Sequence, residues 1–71
     1  MIEFEVFRDG QRAFVLINIE NISMVIPSGT DRSQVVMRDG RELTALCGYA
    51  DLRAAILRVR SGFETMVQAA A

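Results

Sequence analysis

Ile2-Glu3-Phe4-Glu5-Val6-Phe7-Arg8-Asp9-Gly10-Gln11-Arg12-Ala13-Phe14-Val15-Leu16-Ile17 is the stretch on which the fold turns. Ile2, Phe4 and Val6 alternate with Glu3, Glu5 and Phe7, the two-residue period of a strand with one buried side. Asp9-Gly10 follows. An Asp-Gly pair between two β-type runs favours a two-residue type I′ turn, in which both central residues take positive φ. Residues 13–17 are apolar at every position. They read as a second strand covered on both faces, or as one whose second face meets a partner. The stretch therefore predicts a hairpin of residues 2–8 and 12–18, with Phe4 and Phe14 both buried.

Outward from that hairpin, Asn18-Ile19-Glu20-Asn21 breaks the pattern, because asparagine side chains make local turns. Residues 22–26 resume as a third strand, which Pro27 stops. The Pro, Ser, Gly, Thr and Asp of 27–32 form a loop, expected to be the most mobile segment. Residues 34–38 make a fourth strand, Asp39-Gly40 a second type I′ turn, and residues 41–46 a fifth strand. Val6, Arg8, Asp9, Gly10 and Leu16 recur as Val36, Arg38, Asp39, Gly40 and Leu46. Shared hairpin requirements account for the Asp-Gly pair without duplication, and repeat arrays need at least three copies.

Gly48 and Tyr49 lead into a helix, with Asp51 in the first turn, where negative charge suits the helix dipole. Leu52, Ala55, Ile56, Val59 and Phe63 share one helical face, and Met66, Val67 and Ala70 continue the stripe. Gly62, after Arg58 and Arg60, has the signature of a C-cap. These signals predict a helix over 50–61 and a looser helical segment at 63–69. The chain is thus expected to be one α+β domain: an antiparallel sheet of about five strands, with an amphipathic helix on one face. Residues 1–61 form its core, and 62–71 a helical or frayed tail.

Composition sets what such a domain can do. The chain has 71 residues, 51% of them hydrophobic. A domain this short hides only about 60% of the surface its unfolded chain exposes. The apolar surplus points to self-association, a dimer being favoured, or to a protein partner. Val15 and Ile17 on the all-apolar strand, Leu57 on the polar side of the helix, and Phe63, Met66 and Val67 on the late stripe are the candidate interface residues.

Histidine and lysine are both absent. That removes the usual general base, the commonest metal ligand and the amine nucleophile. Cys47, between Leu46 and Gly48, reads as a packing residue. Asp9 and Asp39 serve turns, Asp51 a helix start, and Glu3 and Glu5 the exposed side of a strand. The reading is a non-enzyme with no cofactor and no metal. The net charge of −1 argues against whole-surface attraction to nucleic acid. Arg38, Arg41, Arg53, Arg58 and Arg60 nonetheless give the second half candidate anion or nucleic-acid contacts. Single-strand binding also needs exposed aromatics, and only Phe7, Tyr49 and Phe63 are available for it. A nucleic-acid-binding regulator is therefore the second reading, behind a protein-binding module. The N-terminus has neither the cationic nor the apolar region of a signal peptide, and no apolar run approaches membrane-spanning length. A cytoplasmic location is expected.

The line Ile2…Arg8-Asp9-Gly10-Gln11…Phe14-Val15-Leu16…Asn18…Ile22 resembles the start of FlbD-like (SwrD) proteins, short bacterial proteins encoded among flagellar genes. Val35-Val36-Met37-Arg38-Asp39-Gly40-Arg41-Glu42-Leu43 is similar to that family's second hairpin, and Asp51, Leu52 and Ile56 to its closing helix. The resemblance spans about residues 1–58. The 27–32 loop is longer than the family's, Ile17 reads as an insertion, and the tail from Ser61 has no counterpart. What the resemblance implies is a non-enzymatic accessory role at the flagellar motor or in its gene cluster.

Overall fold

The computed structural model describes residues 1–60 and the strand at 65–67. Its elements follow in the order β1 (Ile2–Arg8), β2 (Gln11–Ile17), a single 3-10 turn (Ile19–Asn21), β3 (Ile22–Pro27), β4 (Ser33–Met37), β5 (Glu42–Ala45), α1 (Tyr49–Arg60) and β6 (Thr65–Val67). The sheet order is β2-β1-β5-β4-β3, antiparallel throughout, with β6 joining β1 in parallel. This is the expected α+β architecture. β6 was not expected: where the sequence predicts helix over 63–69, Thr65–Val67 pairs with Ile2–Phe4. The remainder of that predicted helix lies outside the described residues.

Asp9-Gly10 does what its sequence predicts. Asp9 has φ +52° and Gly10 +77°, both positive as a type I′ turn requires. The turn places Arg8 opposite Gln11, and from there Phe4 opposite Val15 and Ile2 opposite Ile17. The second hairpin turns differently. Gly40 N–H donates to the Met37 carbonyl at 3.0 Å, and only Gly40, at φ +92°, is left-handed. That is a type I turn followed by a bulge glycine, one residue longer than a type I′ turn. The extra residue shifts the phase of the strands. Val6 is fully buried while its sequence counterpart Val36 is not, and Leu46 is buried where Leu16 is exposed. The sequence repeat is therefore not a structural one.

The sheet cannot be flat. Five strands spaced as in any sheet span about 19 Å. β2 and β3 are its two edges, and five peptide units between Ile17 and Ile22 reach at most about 18 Å. Part of that reach is lost to the 3-10 turn, where Asn18 Oδ1 accepts the Glu20 N–H at 3.1 Å. Asn21 then fastens to the far half of the sheet, its carbonyl accepting the Arg38 N–H at 2.8 Å. The edges are drawn together and the sheet curls.

The core lies on the concave side, where Ile2, Phe4, Val6, Val35, Ala45 and Cys47 meet Leu52 and Ala55 of α1. Ile56 and Val59 continue the helix stripe against it. The helix begins where Leu52 N–H donates to the Gly48 carbonyl at 3.1 Å. Asp51 in its first turn and Arg58 and Arg60 in its last both suit the dipole.

Candidate contact surface

Cross-strand partners share a face, so the register assigns each side chain to the concave or the convex side. β1 and β2 turn Glu3, Glu5, Phe7, Arg12, Phe14 and Leu16 to the convex side, away from the core. The same reasoning puts Met24, Ile26 and Val36 there at the other half of the sheet. Between the two apolar groups runs a polar ridge, in which Thr44 Oγ1 donates to Gln34 Oε1 at 3.3 Å. Phe14 is 59% exposed, Leu16 60% and Phe7 52%. Among the described residues no second layer covers this face.

The expected burial of Phe14 is thus reversed, and of the two readings of its strand the one with both faces covered fails: β2 is an edge with one face exposed. Val15 and Ile17, the predicted contact residues, point instead to the core side and pack against it half-buried. They line one wall of a groove of about 540 Å³. Met37 and Leu43 form its other apolar wall, and Arg8, Arg41 and Glu42 its rim. One signal could have found Phe14. With a two-residue loop at Asp9-Gly10, Phe4 must face Val15, so Phe14 must fall on the opposite side.

Leu57 is 44% exposed on α1, as expected, in a recess shared with Tyr49, Arg53 and Arg60. Phe63 lies outside the described residues. Met66 and Val67 are placed by the backbone of β6 beside Glu3 and Phe4.

Of the five arginines, Arg60 at the end of α1 borders two recesses, one shared with Arg38 and one with Arg53. The first, of about 460 Å³, is also lined by Asn18 and Glu20. Arg58 is exposed. Arg41 is held elsewhere, at the second turn, where its Nε stands 2.7 Å from Asp39 Oδ2. The Arg41 backbone N–H, donating to Asp39 at 3.0 Å, is the main cause that lowers that carboxyl below its ordinary value. Across the convex face, Arg12 meets Glu5 at 3.1 Å.

Cys47 is buried, and its thiol is pushed up from the ordinary value, first by burial and then by the charge of Asp51. Such a thiol is a poor nucleophile. Among the described residues no group of three His, Cys, Asp or Glu side chains could hold a metal ion, and no helix is long and apolar enough to cross a membrane. No protein-family model matches the chain, and neither a curated protein nor a solved structure matches it.

Proposed function

We propose that this chain is a small non-enzymatic protein-binding module that works by self-association through the β2 side of its sheet, where apolar side chains are exposed. The observation that carries the reading is the pair of neighbouring exposed side chains Phe14 and Leu16, on an edge strand, with Phe7 close by. Isolated exposed apolar residues are ordinary, but contiguous ones on a regular face mark contact sites. The resemblance of residues 1–58 to FlbD-like proteins is what supports an accessory role at the flagellar motor or in its gene cluster, in the cytoplasm.

The test is absolute mass by light scattering over a wide range of protein concentration. Wild-type chain is expected to associate. The triple variant Phe7→Ser, Phe14→Ser, Leu16→Ser is expected to remain monomeric with an unchanged circular dichroism spectrum. A wild-type chain that stays monomeric, yet is retained on single-stranded nucleic acid at low salt and released as salt rises, would move the assignment to the arginine surface.

A further inference from the structure

We propose that the partner is a second copy of this chain, joined by antiparallel pairing of β2 with β2 about a two-fold axis at Phe14. The proposal rests on the self-association reading above and specifies how it is built.

Backbone geometry comes first. A two-residue turn closes on a hydrogen-bonded pair, here Arg8 with Gln11, and antiparallel pairs then alternate between bonded and non-bonded. Val6 with Ala13, Phe4 with Val15 and Ile2 with Ile17 are the next bonded pairs. Arg12, Phe14 and Leu16 must therefore aim their N–H and C=O groups away from β1. The far side of β1 confirms the alternation: the Glu5 carbonyl, opposite Phe14, turns from β2 and accepts the Leu46 N–H at 2.8 Å. The free edge of β2 is thus a row of three outward donor–acceptor residues, with Phe14 in the middle.

That row is complementary to itself. Antiparallel pairing centred on Phe14 sets Phe14 against Phe14, and Arg12 of each copy against Leu16 of the other. Each of these pairs can exchange two backbone hydrogen bonds. Ala13 falls opposite Val15 on the concave side, small against large. On the convex side Leu16 lies between its own Glu3 and Arg12 of the second copy, so opposite charges flank each leucine. Parallel pairing in register would instead stack Arg12 on Arg12.

The other edge is protected. β3 carries a bulge between Ile22 and Met24, ends at Pro27 and has α1 beside it. Bulges, prolines and covering helices are what keep edges from pairing. β2 has none of them among the described residues. Its one charge, Arg12, is already engaged by Glu5.

Light scattering on the full chain reads the result. Phe14→Pro removes the central outward N–H while the bonded pairs on either side remain, and Leu16→Lys adds charge to the edge. The dimer dissociation constant is expected to rise at least about thirtyfold in each, with an unchanged circular dichroism spectrum. Disulfide trapping keeps the test independent of proline's effect on the hairpin. Two Phe14 positions in a bonded pair stand about 5.5 Å apart, within reach of a disulfide. Two Leu16 positions stand about 14 Å apart, out of reach. Mild oxidation should link Phe14→Cys and not Leu16→Cys, with Cys47 buried in both. Association unchanged in Phe14→Pro and Leu16→Lys, or no preference for linking at Phe14, overturns the edge pairing while self-association stands. A wild-type chain that is monomeric throughout overturns both.

Discussion

Ser33 is the one polar side chain fully buried among the described residues, and it is there for a single bond. Its Oγ donates to the Cys47 carbonyl at 2.9 Å, across the start of β4 and the link between β5 and α1. Nothing about an isolated serine announces this role, because the partner is a backbone group fourteen residues away. A buried carbonyl that loses its donor bears its full desolvation cost. Ser33→Ala is therefore expected to lower stability by about 1–3 kcal/mol, read as a shifted urea midpoint with an unchanged slope. The same link is crowded one residue on. A Cβ on Gly48 would meet the Thr30 carbonyl oxygen at 3.0 Å. The loop expected to be most mobile thus packs on the helix start, and Ser28 N–H closes it onto the Arg32 carbonyl at 3.0 Å.

The elements show where a local pattern is enough and where it is not. Ile2, Phe4 and Val6 alternate against charged neighbours, so periodicity alone identifies their buried side, and all three are buried. Leu52, Ala55, Ile56 and Val59 likewise placed the helix face. β2 defeated the same reasoning, since a run apolar at every position has no period to say which face is covered. β6 defeated it too, because Met66 and Val67 continue a helical stripe while a parallel strand answers to β1, more than sixty residues away. The two Asp-Gly turns share a dipeptide and differ in class, and that choice is testable. In the second turn only Gly40 is left-handed, and Asp39 takes an ordinary φ. An L-residue in the left-handed region costs about 1–2 kcal/mol. Gly40→Ala should destabilise the fold by about that amount, and Gly40→Asn by less, because asparagine tolerates this conformation. Equal stability of Gly40→Ala and wild type in thermal melts would contradict the assigned turn.

At the scale of the molecule, a short curled sheet with one helix can cover only its concave side. Val35, Ala45 and Phe4 are sealed there, while Phe7, Phe14, Leu16, Met24 and Ile26 remain on the outside. If the β2 edge joins two copies, folding and association draw on the same interactions, and stability must depend on concentration by mass action. The size of that dependence follows from the chain length. Unfolding entropy near the melting point is about 2.1 cal/mol/K per residue, or roughly 0.3 kcal/mol/K for two chains of 71 residues. A tenfold rise in concentration shifts a dimer's unfolding free energy by about 1.4 kcal/mol. The wild-type melting temperature should then climb by about 5 °C per decade of concentration. The Phe14→Pro chain should melt at a lower temperature that does not move with concentration. A flat dependence in both proteins would place all of the stability within one chain, and the exposed phenylalanines would have no part in it.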